Sequence, residues 1–411
     1  MNNPRPVHAP MDQFPVVDDC LVVGGVPLTE LARIVGRTPF YAYDRRLITE
    51  RVEQLRRHLP SSVHIHYAVK ANPMPEVVKH LKNLVDGFDV ASAGEMEIAL
   101  SSGMRGDAIS FAGPGKTNAE LEEAVADRVV VNLESETEME RLATIASRLG
   151  TRTAVNVRIN PDFELKSSGM KMGGGPKQFG IDAELVPDVL RRMSKLSLEF
   201  HGFHIFSGAQ NLRSDSIAEA QTKSIDLAIR LAQHALAPVR TLNIGGGFGI
   251  PYFPGDSRLD LAFIGANLAK EIARVREHLP QATVVLELGR FVVGEAGIYV
   301  CRIVERKISR GHVFLIADGG MHHHLSASGN FGQVIRKNYP AVVGNKVRGT
   351  RREVVSVVGP LCTPLDVLVD RMEMAHADVG DLIAIFQSGA YGLTASPTGF
   401  LSHPAPGEIL V

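Results

Sequence analysis

Lys70 ends a strand-like run at residues 63–69, in the phrase YAVKAN. A lysine at the end of a strand in apolar surroundings can play one of two roles. It can be a surface cation whose stem lies along apolar side chains, or a desolvated amine that forms a Schiff base with a carbonyl compound. This phrase alone leaves both roles open.

Three consecutive glycines, Gly245, Gly246 and Gly247, follow another strand-like run in the phrase NIGGGFGIPY. Glycines let backbone N–H groups approach an anion closely, so this turn could hold a phosphate group. It could also be a tight turn without a ligand. A dinucleotide-binding fingerprint is disfavoured, because the spacing is not GxGxxG and the turn follows a late strand.

The phrase ELGRF places Glu287 and Arg290 three residues apart after a further strand. Arginine suits a phosphate by bidentate hydrogen bonding, and glutamate suits a group that must stay protonated. The alternative is a structural salt bridge. In FHGFHIFSG, His201, His204 and Ser207 are further candidates, although a histidine in a strand is more often a packed side chain than a catalyst.

Neither the histidines nor the cysteines predict a metal site. The three histidines at residues 322–324 are adjacent, so their side chains point in different directions. The cysteines, Cys20, Cys301 and Cys362, lie far apart and lack CxxC spacing, which also argues against a disulfide framework. This usage is typical of a reducing cytoplasm.

The elements that must position these residues alternate between strand and helix. Eight runs rich in β-branched and aromatic residues begin at residues 63, 87, 108, 128, 153, 198, 239 and 283. Helical patterns lie between them, such as residues 135–149, where Ser135 and Glu138 have the spacing of a capping box. Eight strands separated by helices predict an α/β fold with a (β/α)8 TIM barrel, whose active site lies at the C-terminal ends of the strands.

After residue 294 the pattern changes to strand-like runs separated by glycine and proline, which predict a β-barrel or β-sandwich domain. The strand-like segment near the N-terminus is expected to join this domain. We therefore predict a flexible lead-in at residues 1–15, a strand segment at 16–40, the barrel at 41–294 and the β domain at 295–411.

The composition excludes several classes of function. The chain of 411 residues has 44 Lys and Arg against 45 Asp and Glu, and its net charge of −1 gives no electrostatic case for binding a nucleic acid or an anionic membrane. Its N-terminus lacks the apolar region of a signal peptide, and it has no apolar run long enough to span a membrane. We expect a folded cytoplasmic protein.

An ordered set of phrases covers nearly the whole chain and resembles the fold-type III pyridoxal 5′-phosphate (PLP) decarboxylases of diaminopimelate, ornithine and arginine. The phrases are YAVKAN, GFDVASAGE, RINP, HIFSG, GGGFG, ELGR, VVGPLCTPLD, SGAYG and FLSHPAPGEILV. The phrases FAGPGK, MKMGGG, MHHHL and GPLCTPLD are most similar to diaminopimelate decarboxylase-like proteins associated with the bacterial exosortase A system and exopolysaccharide gene clusters.

The resemblance implies that PLP is the cofactor and assigns residues to it. Lys70 would form the Schiff base, Glu287 would pair with the ring nitrogen, and His204 would stack on the ring. The other implied cofactor-binding residues are Asp89, Glu95, Arg158, Ser207, Gly245, Gly246, Gly247, Gly289, Arg290 and Tyr391.

The same resemblance implies loss of the α-carboxylate of an amino acid, with Cys362 as the proton donor. Cys362 would come from the β domain of the other subunit, so an obligate homodimer with shared active sites is implied. An isolated cysteine is more often an inert buried side chain, and only its place in GPLC, with Asp366 nearby, favours catalysis.

The residues that would bind the substrate depart from the family pattern. Diaminopimelate decarboxylases usually read CES where this chain has Cys362-Thr363-Pro364, and that glutamate grips the distal end of the substrate. Their arginine followed four residues later by a tyrosine is poorly matched by Arg336 and Tyr339. The implied substrate-binding residues are Arg290, Arg336, Tyr339, Thr363, Asp366 and Tyr391. A different amino acid, or one tethered to a carrier protein, would suit such a pocket.

Two other functions remain open. An alanine racemase-like enzyme would share the barrel, the lysine and the β domain, but such racemases usually place an arginine where this chain has Glu287. A non-catalytic binding protein, such as the antizyme inhibitors of this fold, is disfavoured by the joint presence of Lys70, Glu287 and Cys362.

Overall fold

The computed structural model describes residues 6–164, 170–171 and 173–411. The chain forms two compact units. Unit 1 comprises Met1–Glu50, Ile250–Arg258 and Arg290–Val411, and unit 2 comprises Arg51–Gly249 and Leu259–Gly289.

The strands are described first, in chain order. They are β1 (Val16–Val17), β2 (Cys20–Val23), β3 (Val26–Pro27), β4 (Phe40–Tyr43), β5 (His64–Ala68), β6 (Gly87–Val90), β7 (Ile109–Phe111), β8 (Val130–Leu133), β9 (Thr153–Asn160), β10 (Met170–Lys171), β11 (Ile181–Asp182), β12 (Leu198–Ile205), β13 (Gly208–Ala209), β14 (Thr241–Gly246), β15 (Thr283–Leu288), β16 (Gly297–Ser309), β17 (His312–Ala317), β18 (Ala341–Val343), β19 (Arg352–Val358), β20 (Val367–Ala375), β21 (Leu382–Ile385) and β22 (Gly407–Leu410).

The helices lie mostly between the strands of unit 2. They are α1 (Leu28–Val35), α2 (Arg45–His58), α3 (Pro75–Leu81), α4 (Ala93–Ser101), α5 (Asn118–Ala126), α6 (Glu136–Arg148), α7 (Val186–Met193), α8 (Ser214–Ala232), α9 (Leu261–His278) and α10 (Arg290–Val293). Short 3-10 turns occur at Val69–Ala71, Gly106–Ala108, Gly294–Ala296, Leu393–Ala395 and Phe400–Ser402.

Unit 2 is a closed barrel of eight parallel strands. Their order is β5, β6, β7, β8, β9, β12, β14 and β15, and β15 pairs with β5 to close the ring. Each strand run predicted from the sequence coincides with one of these strands, so the predicted TIM barrel is confirmed. The helix predicted at residues 135–149 is α6, and the side chain of Ser135 caps it by accepting the N–H of Glu138 at 3.1 Å.

Unit 1 is built around a nearly closed β-barrel. Its sheet runs β18-β21-β16-β17-β19-β20, β4 pairs with β16, and β22 pairs with β4. The predicted C-terminal β domain that takes up an N-terminal strand is therefore confirmed. The strand that enters is β4, whereas β1, β2 and β3 form a separate three-stranded sheet.

The core of unit 1 includes side chains from both ends of the chain, such as Phe14, Leu21, Phe40, Ile298 and Ala384. Of the predicted lead-in, residues 1–5 lie outside the described residues, whereas Phe14 is buried in this core. The domain boundaries given by the sequence stay predictions. Within the described part of the chain, no helix is both long and apolar enough to cross a membrane.

Candidate active site

Lys70 lies in the turn Val69–Ala71, which directly follows β5 at the C-terminal end of the barrel. Its Nζ is 3.5 Å from Oε1 of Glu287 and 5.9 Å from the ring centre of Phe206. The side chain is 46% exposed, whereas that of Glu287 is 5% exposed. The amine therefore stands at the mouth of the barrel above a buried carboxylate.

Gly289 supports the turn that carries Lys70. A Cβ atom at Gly289 would lie 2.9 Å from the Cβ of Ala71 and 3.3 Å from the Cβ of Ala68. These distances leave no room for a side chain, so the glycine lets the end of β15 pack against the end of β5. Gly289 thus has a packing role next to the amine of Lys70.

Glu287 is held between Lys70 and His204. Its Oε2 lies 3.1 Å from Nε2 of His204, whose side chain is 2% exposed. Burial alone would raise the pKa of Glu287, but the charge of Lys70, the His204 hydrogen bond and the charge of Arg158 together hold that pKa well below its usual range. A buried carboxylate that stays ionised can keep a proton on a basic ring nitrogen beside it.

Arg158, on β9, is fixed by a carboxylate that the sequence analysis missed. Its Nη1 donates to Oε1 of Glu134 at 2.6 Å, and its guanidinium lies 4.9 Å from the ring centre of Phe179. Glu134 also accepts the backbone N–H groups of Gly113 at 2.6 Å and Gly180 at 2.8 Å. The signal that could have revealed Glu134 is its position directly after a barrel strand, β8.

Asp89, on β6, belongs to a row of polar side chains inside the barrel. Ser110 donates to Oδ1 of Asp89 at 2.5 Å, Asn132 donates to Ser110 at 2.8 Å, and Asn156 donates to Asn132 at 3.0 Å. His66 also approaches the same carboxylate oxygen, with Nδ1 at 3.6 Å. The row fixes the carboxylate of Asp89 from within the barrel.

Glu95 lies in the first turn of α4, and its Oε2 accepts the N–H of Ala91 at 2.9 Å. Burial raises the pKa of Glu95, and the Ala91 hydrogen bond and the charge of Lys70 oppose that rise. Glu95 is therefore near enough to Lys70 for the lysine's charge to affect its pKa. Its predicted role in positioning the lysine is consistent with this placement and stays a prediction.

Of the three glycines predicted as a phosphate cradle, Gly245 and Gly246 end β14 and Gly247 follows it. Gly245 and Gly247 have φ angles of +70° and +72°, values that favour glycine. The N–H of Gly245 donates to Oδ1 of Asn243 at 2.8 Å. A Cβ at Gly246 would lie 2.3 Å from the carbonyl oxygen of Glu287, so this strand end also accepts only glycine.

Ser207, two residues after the end of β12, lines the same small cavity as Gly246 and Gly247. A Cβ at Gly247 would lie 2.4 Å from the carbonyl oxygen of Gly208, beside this cavity. Because Gly246 and Gly247 line the cavity without side chains, an anion can approach their backbone closely. The lysine, the ionised glutamate and this glycine turn all fit PLP.

In unit 1, Arg290 and Tyr391 are brought together. Nη1 of Arg290 donates to the hydroxyl of Tyr252 at 2.9 Å, and the guanidinium lies 4.7 Å from the ring centre of Tyr391. The ring of Tyr339 lies 4.7 Å from that of Tyr252. Tyr252 was not singled out from the sequence. The assignment of Arg290 and Tyr391 to the phosphate, and of Tyr339 to the substrate, stays a prediction.

Cys362 lies in the loop between β19 and β20 and is exposed, whereas Cys20 and Cys301 are buried. The hydroxyl of Thr363 accepts the N–H of Leu365 at 3.3 Å in the same loop. Cys362 is thus placed where a thiol can meet another molecule.

Asp366 anchors this loop from within unit 1. Its Oδ1 accepts the N–H of Met321 at 2.6 Å, and its Oδ2 accepts the N–H of Leu361 at 2.9 Å. A Cβ at either Gly320 or Gly359 would lie 2.2 Å from an oxygen of this carboxylate. The observed contacts of Asp366 are therefore structural, and its role in substrate binding stays a prediction.

Arg336 is also engaged within unit 1. Its two terminal nitrogens donate to the carbonyl oxygens of Ser328 at 2.7 Å and Val367 at 2.5 Å. The arginine therefore ties the segment before β18 to the start of β20. Its assignment to the substrate stays a prediction.

The comparisons with known proteins agree with this site. Residues 45–294 match the family model described as pyridoxal-dependent decarboxylase, pyridoxal binding domain. The chain is 38% identical over 379 residues to L-glutamyl-[BtrI acyl-carrier protein] decarboxylase of Niallia circulans, covering 91% of this chain and 88% of that protein. It is 34% identical over 400 residues to diaminopimelate decarboxylase of Aquifex aeolicus, covering 96% and 91%.

The fold also agrees with that of a solved decarboxylase structure. The crystal structure of diaminopimelate decarboxylase from M. jannaschi superposes with a TM-score of 0.89 at 25% identity, covering 97% of this chain and 92% of that chain. The cofactor predicted from the sequence is confirmed by the matched binding domain. The chain therefore belongs to the PLP-dependent decarboxylases of fold type III, in the diaminopimelate decarboxylase family.

Proposed function

We propose that this chain removes the α-carboxylate of an amino acid, with Lys70 as the residue that binds the cofactor covalently. The observation that carries the proposal is the buried, ionised Glu287, which contacts both Lys70 and His204. When bound, PLP withdraws the electron pair that departing CO2 leaves on the substrate. Glu287 favours this reaction over racemisation because it keeps the ring nitrogen protonated.

Cys362 supplies the proton that replaces the carboxylate, from the β domain of a second copy of the chain. Its exposure supports this proposal, and so do exposed apolar side chains close to its loop. Phe331 and Leu365 are 50% and 58% exposed, and Asn330 donates to the carbonyl oxygen of Leu365 at 3.2 Å. A homodimer would cover these apolar side chains.

Cofactor absorbance and CO2 release test this proposal. Purified protein is expected to show the absorbance of lysine-bound cofactor near the visible edge, and Lys70→Ala is expected to lose it. Lys79→Ala, which changes an exposed lysine on α3, is the matched control and should keep it. Wild-type protein without bound cofactor, or racemisation without CO2 release, would contradict the proposal.

The substrate is proposed to be an aminoacyl group tethered to a carrier protein, with free diaminopimelate as the alternative. The N. circulans relative is named for such a substrate. Thr363 cannot supply the charge of the usual glutamate, and the terminal nitrogens of Arg336 already donate to backbone carbonyls. Both features leave the distal end of the substrate without its usual charged partners.

A turnover screen tests this choice. Free diamino and acidic amino acids are compared with the same amino acids loaded on an acyl-carrier protein, and CO2 release is measured. Faster turnover of a loaded carrier is expected. Equal or faster turnover of free diaminopimelate would identify an ordinary diaminopimelate decarboxylase instead.

The chain is also proposed to belong to the subgroup associated with the exosortase A system and to act in the cytoplasm. The phrases FAGPGK, MKMGGG, MHHHL and GPLCTPLD support the subgroup. The three free cysteines support a reducing compartment. The subgroup is tested by the position of the coding gene, which should lie beside exosortase or exopolysaccharide genes.

A further inference from the structure

Four charged side chains form a buried network at the C-terminal ends of β7, β8 and β9. They are Lys116, Glu134, Glu138 and Arg158, whose side chains are between 1% and 8% exposed. The network contains two positive and two negative groups, so its formal charges balance. Buried charges of this kind are stable only when each one is paired and hydrogen-bonded.

Lys116, in the connection between β7 and α5, holds one side of the network. Its Nζ donates to Oε1 of Glu138 at 2.8 Å, to the carbonyl of Gly113 at 2.8 Å and to the carbonyl of Asn132 at 2.9 Å, which uses all three of its N–H groups. Glu138 in turn accepts the backbone N–H of Glu134 at 3.2 Å.

The carboxylate of Glu134 is fixed by two backbone groups and then binds Arg158. The N–H of Gly113, whose carbonyl is held by Lys116, donates to Oε1 of Glu134 at 2.6 Å. The N–H of Gly180 donates to Oε2 at 2.8 Å. Glu134 is therefore a rigid acceptor, and Arg158 donates to it at 2.6 Å.

The restraint on Arg158 matters because Arg158 is the cross-strand partner of His204, and His204 lies 3.1 Å from the carboxylate of Glu287. The positive charge of Arg158 helps to lower the pKa of Glu287. Within the described residues, however, the ion pair of Arg158 is with Glu134 and not with Glu287. Without Glu134, Arg158 would be a buried charge that has lost its ion pair, and the carboxylate of Glu287 would become a new partner open to it.

We propose that Glu134 is a positioning residue that keeps Arg158 paired to itself, beside His204, rather than to Glu287, and that Lys116 and Glu138 support it. Arg158 then stabilises the negative charge of Glu287 without forming an ion pair with its carboxylate. This inference rests on the proposed function of the site. It assigns no chemical step to Glu134 itself.

The first test compares Glu134→Gln with Glu271→Gln. Glu271 is a matched control because it is also buried and ion-paired, to Arg274 at 2.7 Å, but lies on α9 in the helix layer. Each full-length protein is titrated with PLP, and the absorbance of the bound cofactor is followed against pH. Thermal unfolding without cofactor reports any general loss of stability.

Glu134→Gln is expected to weaken PLP binding by about tenfold or more, the scale of one hydrogen bond to a buried charge. It is also expected to shift the pH profile of cofactor absorbance. Glu271→Gln should lower thermal stability and leave both cofactor readouts unchanged. Equal cofactor affinity and an equal pH profile in the two variants would overturn the inference, provided that wild-type protein binds PLP.

A double-mutant cycle then asks whether Glu134 acts through Arg158. In an Arg158→Met background, adding Glu134→Gln should change the PLP affinity by less than about twofold, because its partner is already gone. Additive effects would contradict the proposal. Glu134→Asp should recover part of the affinity because it keeps the charge. If Glu134→Gln fails to fold, Lys116→Met takes its place in the same cycle. Non-additive effects with Arg158→Met would again support the proposal, and additive effects would contradict it.

Wild-type protein that binds no PLP would instead contradict the proposed function. The two failures are therefore distinguishable in one set of titrations.

Discussion

Glu287 and His204 share a hydrogen bond of 3.1 Å, although the strands that carry them are not neighbours in the barrel. Strand β14 lies between β15 and β12, and it ends in Gly245 and Gly246. A Cβ at Gly245 would lie 3.1 Å from the carbonyl oxygen of Ile205, and a Cβ at Gly246 would lie 2.3 Å from that of Glu287, so the glycines let β14 pack closely against both flanking strands. The glycine turn thus serves the carboxylate as well as the predicted phosphate site.

Replacing Glu287 with glutamine tests how much its carboxylate contributes to the rate of decarboxylation. An amide keeps the shape but cannot stabilise a proton on the ring nitrogen, so decarboxylation is expected to slow by about a hundredfold or more. CO2 release by cofactor-loaded protein measures the rate, and cofactor absorbance measures loading. Glu295→Gln is the matched control, because Glu295 is also buried and ion-paired, with Arg258 at 3.0 Å. Equal rates in the two variants would contradict the role of Glu287.

Gly289→Ala tests the packing beneath Lys70. The added methyl would lie 2.9 Å from the Cβ of Ala71, so the turn that carries Lys70 must move. We expect a loss of about 1–3 kcal/mol in the free energy of unfolding, together with weaker cofactor binding. Chemical denaturation and PLP titration measure the two effects. Gly115→Ala is the control, since a Cβ there meets nothing within 4 Å. Unchanged cofactor affinity in Gly289→Ala would show that the packing at Gly289 has no effect on cofactor binding.

Much of the fold could be predicted from the sequence, because the barrel repeats a simple pattern. Each parallel strand is a short apolar run, and each is followed by a helical pattern, so all eight strands were found. Strands β4, β18 and β20 of unit 1 were not predicted, and β4 falls on the predicted boundary between the strand segment at 16–40 and the barrel. β18 has only three residues, and β20 is interrupted at Arg371, whose φ of +46° breaks the extended backbone.

The site could be predicted only where a residue stands out by its own type and position. Lys70 and Glu287 are unusual residues at the ends of apolar strands, and both were identified. Glu134 was missed because its importance comes from the register of β8 against β9. Leu133 pairs with Val157, so Glu134 comes next to Arg158, and only strand pairing reveals that contact. Tyr252 was missed because its partner, Arg290, lies 38 residues further along the chain, and only the folded structure brings the two together.

Cys362→Ala tests the proposed proton donor. A thiol that delivers the proton to the substrate carbon should contribute about a hundredfold or more to the rate of product formation. Product formation by cofactor-loaded protein is measured in single-turnover experiments, with Cys20→Ala as the control because Cys20 is buried. Cofactor absorbance should be unchanged in both variants. An unchanged rate in Cys362→Ala would remove this cysteine from the mechanism.

His324 gives unit 1 a defined sensitivity to acid. Its ring is fully buried, its Nδ1 accepts the N–H of Ala327 at 3.3 Å, and its Nε2 lies 2.9 Å from the hydroxyl of Ser388. Burial lowers the pKa of His324 from 6.5 to about 3. Between these two values the unfolded chain binds a proton that the folded chain does not, so the free energy of unfolding falls as the pH falls.

The slope from this one group can reach about 1.4 kcal/mol per pH unit. Denaturation of the protein at pH values from 7 to 5 should therefore show falling stability, and His324→Leu should flatten the curve even though it lowers stability at pH 7. His234→Leu, at an exposed histidine on another part of the chain, should leave the slope unchanged. A slope in His324→Leu equal to that of the wild type would show that His324 is protonated without cost in the folded chain, contrary to its buried, doubly hydrogen-bonded position.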